Sequence, residues 1–147
     1  MDFTPSPSSG SNFPIEDDAE NPHAVAALWG GAITPASGFV AIPMVLLRVQ
    51  TKLKLTATDM LVMANLLAHR WKVTDAVFPR TTTIAKRMGV TPRTVQRSAE
   101  KLIRGGVMER VKRADGLRSY RFDKLNRILA REVEASLLIK SQESLDA

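Results

Sequence analysis

The sequence predicts a mainly α domain with a small β-hairpin wing, on three observations. Two helices, one beginning near Thr81 and ending at Gly89, the other running from Pro92 to Arg104, carry their stop and start signals only one or two residues apart. Two short β-rich runs, 107–113 and 117–123, follow directly, and a mostly apolar helix of about four turns, 57–70, precedes them. Composition sets the scale. The 147 residues allow one compact domain plus tails, and with 44% hydrophobic but only 5% aromatic residues the core must be built mainly from Leu, Val, Ile, Met and Ala.

The N-terminal part, residues 1–37, reads as a disordered acidic arm. It is rich in Pro, Ser and Gly and has no sustained period of 2 or 3.6. Residues 1–38 hold five acidic groups and no Lys or Arg, a charge of −5, whereas the remaining 109 residues hold 21 basic against 10 acidic groups, a charge of +11. The imbalance peaks at 70–131, with 17 basic against 5 acidic residues. A field of that sign and size suits a polyanion, nucleic acid above all, although a merely solvated basic surface would have the same composition. Within the arm, AVAALWGGAI (24–33) places Trp29 where it could dock on RNA polymerase or a replication partner; a segment that only touches its own domain is the simpler alternative.

The domain proper is expected over 38–122. Pro43 suits a helical first position, starting a short helix through Val49. Thr56 is then an N-cap with Asp59 three residues on, and Leu55 and Met60 stand at the positions of a hydrophobic staple. Met60, Ala64, Leu67 and Trp71, flanked by Leu61 and Ala68, form the apolar stripe of the 57–70 helix. His69 at its end reads as a surface or helix-dipole histidine, and Ala76–Pro79 as a strand or extended link.

Next, Thr81 is expected to cap a helix that Gly89 ends in a left-handed turn. Thr91 caps the following helix with Pro92 at its first position and Val90 and Val95 as staple. So tight a connection makes the inner faces pack: Ile84, Ala85 and Met88 against Val95, Ala99, Leu102 and Ile103. Ala85 is small because the helices cross there. The outward face of the second helix is Arg93, Thr94, Gln96, Arg97, Glu100 and Lys101. Apart from Glu100, these side chains are suited to DNA: Arg to guanine, Gln to adenine, Lys and Thr to backbone oxygens. The spacing of Ala85, Gly89 and Val95 resembles a helix-turn-helix, with Ser98 standing where a larger apolar residue is usual and Ala99 able to take over its contact.

The hairpin sharpens the type. Ala114, Asp115 and Gly116 join the two runs; Tyr120 and Phe122 share one face, and Arg110, Lys112, Arg113, Arg118 and Arg121 make the hairpin basic. Helix, helix-turn-helix and basic hairpin is the order of a winged helix-turn-helix. Taken together, FVAIPMVLL, LTATDMLVMANLLAHRW and VFPRTTTIAKRMGVTPRTVQRSAEKLIRGGVMERV resemble the small bacterial winged-helix family of phage- and plasmid-type replication proteins and related transcription regulators. The resemblance covers about 38–122 and implies DNA binding, which by residue matching falls on Arg93, Thr94, Gln96 and Arg97. The family's usual Ser after the Phe-Pro dipeptide is Arg80 here, leaving Thr81 the capping role.

Asp123 can cap a last helix in the segment 123–147, with Leu125, Ile128, Leu129, Val133 and Ile139 on one stripe. That helix either folds back on the domain or joins two copies through Leu125, Ile128, Leu129 and Val133. No catalytic site is expected. There are no cysteines, only two histidines, no phosphate-binding glycine loop and no acidic cluster in the folded part, so neither cofactor nor metal is expected. A signal-free N-terminus and a longest apolar stretch of nine residues, 39–47, point to a cytoplasmic protein, associated with the nucleoid rather than with a membrane.

These readings converge on a sequence-specific double-stranded DNA-binding regulator of transcription. Arg93, Gln96 and Arg97 would read bases, and Thr81, Thr94, Lys101, Lys112, Arg113 and Arg118 would position the backbone. The alternatives are a replication initiation or accessory protein of a plasmid, phage or other mobile element, and a winged-helix module that binds only protein.

Overall fold

The computed structural model describes residues 25–69, 80–112, 114, 116 and 118–146. The chain forms two compact units, Met1–Phe39 and Val40–Ala147. In the first, α1 (Val25–Leu28) and α2 (Ile33–Ser37) are single turns or little more, in a stretch whose sequence carries no helical period. Leu28 and Trp29 are exposed.

The second unit contains α3 (Met44–Val49), α4 (Ala57–Leu67), α5 (Thr81–Met88), α6 (Pro92–Arg104), β1 (Glu109–Lys112), β2 (Arg118–Arg121) and α7 (Asp123–Leu145). This is a mainly α domain with a small antiparallel hairpin, the winged helix-turn-helix architecture. Helix α6 packs on both α4 and α5, and α7 packs on α3. One apolar core joins them, from Leu46 of α3 through Val62, Met63 and Leu66 of α4 to Leu102 of α6, Met108, Phe122 and Leu125. Each such side chain removed from water stabilises the fold by about 1.5–3 kcal/mol.

Helices α5 and α6, and the hydrogen-bonded turn 50–54 that follows α3, close in the same way. In each, an amide bonds to the carbonyl five residues back while the residue before it takes a left-handed φ: Leu55 to Gln50 over Lys54, Val90 to Ala85 over Gly89, and Val107 to Leu102 over Gly106. This Schellman closure satisfies carbonyls that the helix leaves free and brings the next apolar residue back against the helix. It explains why β1 starts at Glu109 rather than at 107. Val107 and Met108 are drawn into the core by the closure of α6 and are fully buried.

The capping box of α4 is present: the Asp59 amide donates to Thr56 Oγ1 at 3.1 Å, and the Thr56 amide donates to Asp59 Oδ2 at 2.9 Å. The buried stripe of α4, however, is Asp59, Val62, Met63 and Leu66; Met60, Ala64 and Leu67 are only half-buried and Leu61 is exposed. An acid stands at the start of that stripe. Helix α4 ends at Leu67, and Trp71 and the Ala76–Pro79 link lie outside the described residues.

Two expected caps are corrected. Arg80, not Thr81, occupies the N-cap of α5, and Phe122, not Asp123, that of α7; neither makes a side-chain cap bond. Asp123 instead meets Arg121 Nε at 3.0 Å. The proposed pairing seam is also corrected. Leu125 and Leu129 are buried in the domain's own core and Ile128 is half-buried, so of those four residues only Val133 remains exposed. The first turns of α7 thus fold back on α3.

Candidate nucleic-acid interface

Glycine at position 89 (φ 67°, ψ 31°) lets the chain leave α5 and enter α6 within two residues. Thr91 Oγ1 accepts the Thr94 amide at 3.3 Å and lies 3.1 Å from the Thr94 hydroxyl, so the first turn of α6 is fixed by its own side chains. Pro92 at the first helical position has no amide to leave unpaired.

Helix α6 is strongly two-faced. Val95, Ser98, Ala99 and Leu102 are buried, and the opposite side presents Arg93, Arg97 and Arg104, all exposed, with half-buried Glu100 between them and half-buried Gln96 at the edge. The inner contact with α5 runs through buried Ile84 and Ala85 and half-buried Met88 and Ile103, as the spacing predicts.

Sequence reasoning gave Asp59 a place in the cap of α4 and missed its contacts with α6. Its carboxylate, 3% exposed, accepts Ser98 Oγ on Oδ1 at 2.7 Å and pairs with Lys101 Nζ through Oδ2 at 2.5 Å. Burial alone would raise its pKa. The Lys101 ammonium, the Thr56 amide and the Ser98 and Thr56 hydroxyls outweigh that and hold it at about 2, against 3.8 for an ordinary aspartate. Ser98 is therefore more than a small substitute for an apolar residue. It and Asp59 stitch the start of α4 to the middle of α6. Lys101 is correspondingly committed inside the protein, although its side chain stays 44% exposed.

On the wing, Glu109 faces Arg121, Arg110 faces Tyr120, Val111 faces Ser119, and Lys112 faces Arg118. Tyr120 and Phe122 are buried beneath the hairpin, while Ser119 Oγ donates to the Val111 carbonyl at 3.0 Å. Arg110, Lys112 and Arg118 are exposed, and among the described residues none of the three is in an ion pair. Like charges directly opposed on a strand pair repel, so the Lys112–Arg118 rung costs stability unless an anion lies across it. Gly116 turns the tip with φ 76°, and Arg113 and Asp115 lie outside the described residues.

The structure thus brings Arg93, Arg97 and Gln96 to the outer side and edge of one helix, and Lys112 and Arg118 to one hairpin. Thr81 is half-buried in the first turn of α5, and Thr94 is engaged with its own cap. His69 Nε2 lies 3.5 Å from Arg87 Nη1, and burial together with that cation lowers its pKa. Among the described residues no group of three or more His, Cys, Asp or Glu could hold a metal ion, and no helix is long and apolar enough to cross a membrane.

The architecture is shared with a solved structure. The N-terminal domain of DnaD protein from Geobacillus kaustophilus HTA426 superposes with a TM-score of 0.58 at 18% identity, covering 76% of this chain and 94% of that one. A possible transcriptional regulator from Methanosarcina mazei Go1 is 22% identical, with a TM-score of 0.43 over 67% of this chain and 83% of its own; a superposition that loose carries no argument. No curated protein sequence matches. Residues 53–107 match the family model described as a helix-turn-helix domain. From α4 to the start of the wing, then, the chain is similar to helix-turn-helix domains, within a mainly α fold whose antiparallel hairpin is consistent with a winged helix-turn-helix.

Proposed function

We propose that this protein binds double-stranded DNA sequence-specifically, with α6 in the major groove and the 107–122 hairpin on the backbone or the adjacent minor groove. Its role is in replication initiation, or as an accessory to it, on a plasmid, phage or other mobile element. The observation that carries DNA binding is the outer face of α6, where exposed Arg93 and Arg97 stand on a helix whose inner face is fully committed to the core. Arginine reads guanine in two-pronged fashion, Gln96 at the edge of that face suits adenine, and the opposed Lys112 and Arg118 suit phosphates.

Replication is favoured over transcription by the fold shared with the DnaD N-terminal domain. Selection of bound duplexes from a random pool, followed by a genomic binding profile, tests both levels. A defined motif clustered at one origin-like locus is the expected result. A motif dispersed over promoters would replace replication by transcriptional regulation, and enrichment of no motif at all would leave a module that binds protein.

A further inference from the structure

Beside the C-terminus of α6 lies a cleft of about 600 Å³ that none of the base-reading residues enters. Its floor includes Leu55 and Val107, and its rim carries four cations: Lys52, Lys54, Lys101 and Arg104. Two are already neutralised, Lys52 by Glu132 of α7 and Lys101 by Asp59. Lys54 and Arg104 have no ion-pair partner among the described residues. The cleft therefore keeps a net excess of two positive charges.

Lys54 is out of place by local chemistry. Of the three Schellman closures, two put glycine at the left-handed position, Gly89 and Gly106, and the third puts Lys54 there with φ 57°. It is the one residue other than glycine with positive φ among the described residues. The Cβ of an L-residue is disfavoured in that conformation, so a lysine kept where glycine fits better argues that its side chain has work to do.

Arg104 gives that work a direction. It continues the exposed stripe of Arg93 and Arg97, and at about 1.5 Å of rise per residue it lies about 17 Å from Arg93 along the axis. A recognition helix meets the bases with its N-terminal residues, so when the start of α6 touches bases its far end lies away from them, toward the flanking sugar-phosphate strand.

We infer that the Lys54–Arg104 cleft is a second phosphate-binding site, holding the DNA backbone beside the major groove entered by α6. This rests on the proposed DNA binding and extends its footprint past the recognition helix to the turn that follows α3. Each cation that neutralises a B-DNA phosphate adds about 0.9 to the salt slope of the association constant, and so about fivefold in affinity at 0.15 M salt.

The test uses the full chain and a duplex containing its selected motif, with affinity measured from about 0.05 to 0.3 M salt. Lys54→Gly is expected to raise Tm by a few degrees, because glycine suits the turn, yet to weaken binding about fivefold and cut the slope by about 0.9. Arg104→Gln is expected to lower affinity and slope equally without the gain in Tm. Unchanged slopes in both variants overturn the inference. If Arg97→Ala still weakens binding to the motif and relaxes its preference, that failure is confined to the cleft; if Arg97→Ala also has no effect, the DNA-binding reading itself fails. Titration with ATP supplies the remaining arm: saturable ATP binding lost in Lys54→Gly, with the DNA slope intact, would assign the cleft to a free phosphate compound and overturn the inference.

Discussion

Helix α6 and the hairpin carry the same sign of charge but are held in opposite ways. The helix is fixed at its start by Thr91, at its middle by Asp59 through Ser98 and Lys101, along its inner face by α4 and α5, and at its end by the Gly106 closure. The outer part of the wing has only its partner strand, and there Lys112 is set against Arg118. Base reading needs donors placed to within a fraction of an ångström, because a hydrogen bond to a base edge fails with small displacements. Phosphate contact is tolerant in geometry and draws on charge. The two regions therefore divide the work according to stiffness, the rigid one discriminating and the adjustable one adhering.

The largest test of that contrast is Leu102→Ala. Leu102 is 1% exposed on the inner face of α6, so its truncation is expected to cost about 2–5 kcal/mol of stability in urea or thermal unfolding. Sequence preference should fall with it, even in the fraction that stays folded. Loss of stability with preference intact would show that the anchoring of α6 does not set its reading.

Next in size is Arg97→Ala. It is expected to cost about 1–3 kcal/mol on the selected motif and to relax one or two base positions, with far less change on random duplex. Equal losses on both would move Arg97 from the reading group to the adhering one and erase the division.

How far this division was legible depends on the range of the interactions that make it. Gly89, Thr91 and Pro92 act on their own turns, so the bounds of α6 follow from sequence without error. Gly116 likewise marks the turn of the hairpin. The Asp59–Ser98–Lys101 contacts join residues 39 and 42 positions apart, and no local rule pairs them. A trace was present all the same: Asp59 sits on the stripe of Val62, Met63 and Leu66, and Ser98 on that of Val95 and Leu102. Two polar residues on the buried faces of two different helices need partners, and each supplies the other. Thr81 and Asp123 mislead for a simpler reason. Their chemistry suits a cap, but both residues already have helical backbone, so the N-cap falls one residue earlier.

The Asp59 link also predicts how the stiffness of α6 depends on pH. The folded pKa of about 2 lies below the ordinary 3.8, so folding favours the ionised form. The stabilisation is fully present above about pH 4 and is lost as pH falls through about 2, and the shift corresponds to about 2 kcal/mol. Comparing wild type with Asp59→Asn by urea unfolding at pH 7 and at pH 2.5 isolates this group from the other carboxylates. The difference between the two proteins should be largest at pH 7 and shrink in acid; a difference independent of pH would assign the contribution of Asp59 to packing alone.

The smallest effect is the most specific to the wing. Replacing Lys112 by Ala removes one side of the Lys112–Arg118 repulsion, so the free protein is expected to gain about 0.2–1 kcal/mol. DNA binding should weaken on every sequence alike, with a salt slope lower by about 0.9. The two signs belong together. A charge kept at a cost to the free protein is explained only by a partner that removes the cost, and a polyanion laid across the rung does so. If Lys112→Ala destabilises the free protein instead, Lys112 supports the hairpin and the wing's adhesion must come from Arg110 and Arg118. The contrast with α6 would then narrow, since both regions would hold their charges in place by structure rather than by leaving them unbalanced.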